Sequence, residues 1–124
     1  MSVFFFRNLA EVNMLLSVCR RFFMAHTLGN LFFYSLRGDV MPIVIGDETN
    51  IQDNSVIHGT FKKCGAVIGS RVTIGHSVIL HGCKINDLVL VGMGAVIMDL
   101  AEIPTRSVVG AGSLVTENAK FPEG

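Results

Sequence analysis

Aliphatic residues recur at every sixth position over most of this chain. Ile45, Ile51 and Ile57 form one run, Ile68, Ile74 and Leu80 a second, and Ile85, Val91, Ile97, Ile103, Val109 and Val115 a third, with Phe121 in the same register. Two residues before most of them stands a small or β-branched side chain: Thr49, Ser55, Val72, Val78, Cys83, Val89, Ala95, Ala101, Ser107, Ser113 and Ala119. Glycine follows directly at 46, 69, 75, 92 and 110. A helix of 3.6 residues per turn cannot keep a six-residue repeat on one face, and an ordinary strand does not meet glycine and turn residues at such short intervals. Short strands joined by tight corners can. The spacing predicts an all-β solenoid in which each hexapeptide is one flat wall, three walls close a triangular coil, and aliphatic side chains stack along its interior. A β-sandwich is the competing reading, but it needs turn signals every 8 to 12 residues, and that spacing is absent.

The text before the repeat is aromatic and irregular. Phe5, Leu9, Val12, Leu16, Cys19 and Phe23 fall at steps of three or four, which predicts an amphipathic helix over about 5–25. The expected organisation is therefore an irregular or helical segment, 1–35, followed by a hexapeptide-repeat β-helix domain, 36–124. Arg7, Glu11, Arg20 and Arg21 interrupt the apolar run well short of the roughly 20 residues a membrane-spanning helix needs. A secretory signal is disfavoured because the start lacks a basic region, while three arginines against one acid leave an organellar transit peptide as the alternative.

Ten Lys plus Arg balance ten Asp plus Glu in 124 residues. This zero net charge excludes the phosphate-neutralising surface a nucleic-acid binder needs, and it gives no electrostatic pull to a membrane. Three cysteines are neither an even set nor a dense framework, so the chain is expected in a reducing compartment, the cytoplasm. Half of the residues are hydrophobic, which in so short a chain points to surface buried against another subunit.

The period breaks twice. Ile57 to Ile68 spans eleven positions, one hexapeptide plus five residues inserted within 59–67, and Leu80 to Ile85 is one position short. His58 follows Ile57 and His81 follows Leu80, the same place in the hexapeptide. If the insertion is a corner loop, the walls beginning at 57, 68, 74 and 80 run once around the triangle. His58 and His81 then stack on neighbouring coils at the inter-strand spacing of about 4.8 Å, and two such imidazoles can share one ion at about 2.0–2.1 Å.

His76 sits one position later in its hexapeptide and on another wall, so it cannot join the pair within one narrow prism. It can reach an equivalent pair on a second molecule, and a threefold arrangement satisfies all three sites at once. Three neutral histidines without a fourth protein ligand make an open site, the type that keeps a water and activates it. The competing reading is three histidines with ordinary hydrogen bonds. His26 fits no such pattern and is read as structural. Cys83 lies two residues after His81 but occupies the small-residue position, so it is read as interior packing rather than a ligand.

The segments LRGDVMPIVIGDETNIQDNSVIH (36–58), IGHSVILHGC (74–83) and VGMGAVI (91–97) together resemble the gamma-class carbonic anhydrase family, over about residues 34–124. The resemblance implies a left-handed parallel β-helix, a hand that periodicity alone does not fix. It also implies a homotrimer with zinc, or iron or cobalt, at each subunit interface, and a lyase in which a metal-held hydroxide attacks carbon dioxide to give bicarbonate. By matching position, His58 and His81 are the ligands of one subunit and His76 the ligand of its neighbour. Gln52 matches the residue that hydrogen-bonds the coordinated water, and Arg37, Asp39 and Asp53 match a charged network across the interface. An arginine fork suits two carboxylates, so Arg37 is expected on Asp53 of its own chain and on Asp39 across the contact. The alternatives are a solvated turn at Arg37-Gly38-Asp39 and an exposed wall residue at Gln52.

Set against that family, Val40 and Phe61 stand where the best-known branch has proton-carrying glutamates, which leaves solvent or buffer to take the proton. Residues 1–33 show no hexapeptide coil and the chain stops before a last strand and a long helix, so it reads as shortened at both ends. The amphipathic segment is expected to cover one end of the prism or to pack where that helix would lie. Two rival functions share the scaffold: a hexapeptide acyl-coenzyme A transferase or thioesterase using a groove between subunits, and a catalytically silent trimeric scaffold.

Overall fold

The computed structural model describes residues 22–24 and 35–123. Its strands are two or three residues long, and in chain order they are β1 (Phe22–Met24), β2 (Ser35–Arg37), β3 (Ile43–Ile45), β4 (Asn50–Ile51), β5 (Val56–His58), β6 (Ala66–Ile68), β7 (Thr73–Ile74), β8 (Ile79–His81), β9 (Lys84–Ile85), β10 (Leu90–Val91), β11 (Val96–Ile97), β12 (Glu102–Ile103), β13 (Val108–Val109) and β14 (Leu114–Val115). They form three walls. The first stacks β1, β3, β6, β9 and β12; the second β4, β7, β10 and β13; the third β2, β5, β8, β11 and β14. Every strand pairing is parallel, and from β2 onward successive strands pass to successive walls. The molecule is the three-walled parallel β-helix that the six-residue period implies, in agreement with the left-handed β-helix that the resemblance implies. Among the described residues no helix is long and apolar enough to cross a membrane.

The predicted interior column is the core. Every member of the series from Ile45 to Ile103 is at most 2% exposed, and Val109 and Val115 stay buried. Burying each such side chain is worth about 1.5–3 kcal/mol, and stacking coil on coil lets no interior residue face water. Two polar residues sit among them without cost to the ladder. Thr49 donates its hydroxyl to the Gly69 carbonyl at 2.7 Å and accepts the Val72 N–H; Ser55 does the same with Gly75 at 2.8 Å and Val78.

The corners explain the rest of the period. Each ordinary corner takes two residues, and the second has a left-handed backbone: Asn54, Ser77, Leu88, Leu100, Arg106 and Asn118 all lie near φ +60°. A left-handed L-residue costs roughly 1–2 kcal/mol, less for asparagine, whose short amide bonds locally. Half-exposed Leu88 gains little from packing, so Leu88→Asn is expected to raise the thermal midpoint by a few degrees, the equivalent of about 0.5–1 kcal/mol. An unchanged or lower midpoint in calorimetry would contradict this.

Both breaks in the period are corners. The insertion folds as a turn closed by an antiparallel bridge between Thr60 and Cys64, with Thr60 N–H donating to the Cys64 carbonyl at 2.9 Å. The corner one residue short is turned by Gly82 at φ +59°.

Two expectations are corrected. The helix over 5–25 does not extend to its predicted end: Phe22–Met24 is strand β1, paired residue for residue with Ile43–Ile45, and the remainder of that segment lies outside the described residues. Helical periodicity is a weak local preference, and an open wall edge offering parallel hydrogen bonds outweighs it. The segment in which no hexapeptide was legible thus carries a solenoid strand, β1. Phe121 is half exposed, because no further coil among the described residues lies above it to close the prism.

Candidate metal centre

The site is set by register. β2, β5 and β8 are neighbours on the third wall, and their pairing places Arg37, His58 and His81 in one column. Ile57 and Leu80 turn into the core, so the next residue on each strand turns outward. The two imidazoles stack on adjacent coils as expected, with ring centroids 5.2 Å apart and planes tilted by 60°.

Each ring is backed by a carboxylate on the side away from the other. His58 Nε2 lies 3.2 Å from Asp39 Oδ1, and the second oxygen of Asp39 accepts from the Arg37 guanidinium at 2.7 Å. His81 Nδ1 lies 2.6 Å from Asp99 Oδ1, and the second oxygen of Asp99 accepts from the Thr60 hydroxyl at 2.6 Å and from Lys63 Nζ at 3.2 Å. Lys63 is also paired with Glu117. The Arg37 guanidinium beside Asp39 holds its carboxyl below the usual carboxylate range. For Asp99, burial favours the neutral acid, yet the hydrogen bonds from Thr60, His81 and Lys63 outweigh it and hold the group at about 2.

Ionised carboxylates only accept, so each ring gives its outer N–H to its carboxylate. That leaves His58 Nδ1 and His81 Nε2 as the inner nitrogens, and they face each other at 3.2 Å. Two lone pairs at that distance repel unless an electrophile lies between them. Two ligand nitrogens on a tetrahedral ion at 2.0–2.1 Å stand about 3.3 Å apart, which is the spacing present. The donor set therefore fits a divalent cation.

Asp99 also gives the structure an acid limb. Its carboxyl lies below its ordinary value of 3.8, so its contribution to stability is present above about pH 4 and is lost as the pH falls toward 2. A shift of this size is worth up to about 2 kcal/mol. Unfolding followed between pH 4 and 2 should show this loss, and Asp99→Asn should flatten it; an unchanged limb in the variant would contradict the assignment.

The remaining candidates lie on a different edge of the same wall. His76 is the exposed first residue of the corner between β7 and β8. Asp53 lies one coil below it, its carbonyl accepting the Ser77 N–H at 3.0 Å, and Gln52 precedes Asp53, its N–H donating to the Ile74 carbonyl at 2.9 Å. Within one chain the structure thus separates Gln52, Asp53 and His76 from Arg37, Asp39, His58 and His81. Among the described residues no three His, Cys, Asp or Glu side chains are grouped to hold a metal. Arg37 is found on Asp39 of its own chain rather than on Asp53, because the two residues belong to one turn leaving β2 while Asp53 stands at the far corner. Cys83 is interior, and burial pushes its thiol up to about 12, so it offers no thiolate to a cation.

Sequence reasoning missed Asp99, Thr60 and Lys63. A signal was present: Asp99 stands eighteen positions after His81, one more than the seventeen-residue coil that the short corner leaves here, which places it directly above the corner that follows the histidine.

No protein-family model matches the chain. Over 94 residues it is 43% identical to gamma carbonic anhydrase 1, mitochondrial, of Arabidopsis thaliana, an alignment covering 72% of this chain and 34% of that protein. It is 48% identical over 68 residues to a carbonic anhydrase of Geobacillus kaustophilus, covering 55% and 37%. Among solved structures, a hexapeptide transferase family protein from Anaplasma phagocytophilum superposes with a TM-score of 0.64 at 46% identity, covering 70% of this chain and 52% of the other. The chain spans about half the length, or less, of these relatives. With its repeat, its three-walled coil and these identities, the chain is similar to the gamma-class carbonic anhydrases and to hexapeptide-repeat proteins.

Proposed function

We propose that the chain is a gamma-carbonic-anhydrase-like enzyme that hydrates carbon dioxide to bicarbonate at the subunit interfaces of a homotrimer. Each site would take one zinc, with iron or cobalt as alternatives, on His58 and His81 of one subunit and His76 of the next. The observation that carries this reading is the pair of inner imidazole nitrogens facing each other at 3.2 Å with both outer nitrogens committed to carboxylates. When bound, such a cation supplies Lewis acidity that brings a coordinated water to a pKa of about 7.

The chain's own residues do the rest. Asp39 and Asp99 fix the ring orientations of His58 and His81, and Arg37 fixes Asp39. A neighbour that presents His76 from its corner presents the Gln52 amide from nearly the same level, a group that orients a water without titrating. Val40 follows Asp39, and exposed Phe61 tips the insertion; neither takes a proton, so buffer or solvent is the acceptor.

The surface supports the trimer. The third wall carries exposed Ile79 and Leu114 on the same face as the imidazoles, the second carries Leu90 and Val108, and Met93 projects from the corner above His76. The first wall carries exposed Val67 but also charge, Lys84 paired with Glu102 at 2.6 Å. Two apolar walls meeting at the corner that bears His76 are the surface two further copies would bury. The compartment we read as the cytoplasm, the free thiols of Cys64 and Cys83 fitting a reducing one; the plant relative named mitochondrial supplies the alternative.

Stopped-flow carbon dioxide hydration, run with metal analysis and mass in solution, tests the reading. Turnover that scales with metal content in a trimer is the expected result. A metal-bound trimer without turnover would instead favour a silent scaffold. Stabilisation by coenzyme A in a thermal shift, without hydration, would favour the transferase chemistry for which the structural neighbour is named.

A further inference from the structure

We propose that Asp99 is the positioning residue that fixes the tautomer of His81, and that the insertion after β5 serves to hold Asp99 in that role. The proposal deepens the metal-site reading above and rests on it.

Asp99 enters from the corner after β11, one coil beyond the histidine it serves. Its side chain is only 12% exposed and both oxygens are engaged. Oδ1 faces His81 Nδ1 at 2.6 Å, on the side of the ring turned away from His58. A carboxylate there requires the proton on Nδ1, which leaves the Nε2 lone pair directed at the ion position. Without that acceptor, the neutral ring is free to carry its proton on Nε2 and block the position.

The second oxygen explains the insertion. Thr60 and Lys63 both belong to the five-residue break in the hexapeptide rhythm, and both bind Oδ2, at 2.6 and 3.2 Å. Thr60 is fixed by its bridge to Cys64, and Lys63 is fixed by Glu117 from the coil beyond that of Asp99. Gly82 completes the device. A Cβ at this position would lie 2.6 Å from Asp99 Oδ1 and against Cys64 Sγ, so only glycine lets the carboxylate reach the ring. The solenoid itself needs none of these interactions: an ordinary two-residue corner turns the chain elsewhere without them.

The test uses the full chain and two variants, Asp99→Asn and the double variant Thr60→Val, Lys63→Met, which keeps the carboxylate but loosens it. Long-range nitrogen–proton spectra of the metal-free protein report the His81 tautomer, and chelator competition reports zinc affinity. Wild type should show the Nδ1–H form. Asp99→Asn should shift His81 toward mixed tautomers and weaken zinc about 10- to 100-fold, and the double variant should lie at the low end of that range. If Asp99→Asn does not fold, the double variant alone decides. A purely structural role predicts lower melting temperatures with the tautomer and the zinc affinity unchanged, and that result would overturn the proposal. If wild type takes up no zinc, the metal reading fails, and the tautomer comparison then decides the Asp99 assignment by itself.

Discussion

His81→Ala is expected to lose zinc and carbon dioxide hydration together while the coil stays folded. The imidazole lies on the outer face, and the neighbouring Leu80 that fills the core is untouched. Asp99 loses one partner but keeps Thr60 and Lys63, so the carboxylate does not become an unpaired buried charge. The loss in stability should stay near 1 kcal/mol, the usual worth of a single hydrogen bond. The loss in affinity should exceed the roughly 100-fold that an outer-shell partner costs, because a ligand itself is removed. Metal content after dialysis, set beside a melting curve, checks both halves. Full zinc occupancy in a folded variant would contradict the ligand assignment.

Gly82→Ala should destabilise the molecule strongly through both its backbone and its neighbours. The backbone at Gly82 is left-handed, which costs an alanine roughly 1–2 kcal/mol. The added carbon would also press on Cys64 and on Asp99, and overpacking of this kind costs about 1–3 kcal/mol more. A combined loss of about 3 kcal/mol should lower the thermal midpoint by more than 10 °C, at several degrees per kcal/mol for a domain of this size. The same methyl group would lift the carboxylate from His81, so zinc affinity should fall with stability. Wild-type melting in this variant would show that the corner has room the structure denies.

The contrast with Gly94 sharpens the point. Gly94 is also left-handed, but a Cβ there meets nothing within 4 Å. Only the backbone cost applies, and Gly94→Asn should be nearly silent.

How much of this was legible in the sequence depended on what kind of contact carried it. The walls, the core column and the stacking of His58 on His81 follow from a strict period, because in a solenoid the register of one coil fixes the next. The two breaks in that period marked where the coil departs from its own rule, and both proved to be corners beside histidines. The partners that hold Asp99 in place were illegible for a different reason. Asp99 and Lys63 lie 36 residues apart and meet only through the insertion, whose path no periodicity describes. The pairing of Arg37 with Asp39 rather than Asp53 turned on a local hairpin of charge within three residues, where spacing permits several partners. At the N-terminal side, helical spacing in Phe5 to Phe23 concealed strand β1, since an open wall edge offers hydrogen bonds that a local pattern does not record.

The claim on which everything else depends is that one chain carries two half-sites, His58 with His81 on a wall and His76 on a corner, completed only by a neighbour. Mixing His76→Ala with His81→Ala protein, unfolded together and refolded, tests this directly. Each variant alone should bind no zinc and show no hydration. In mixed trimers, a subunit with intact His58 and His81 can meet a neighbour with intact His76, so about a quarter of the sites should recover when the two are present equally. Recovery of zinc binding and turnover near that level is the predicted result. A mixture as inactive as its components, from trimers shown by mass to contain both variants, would contradict it.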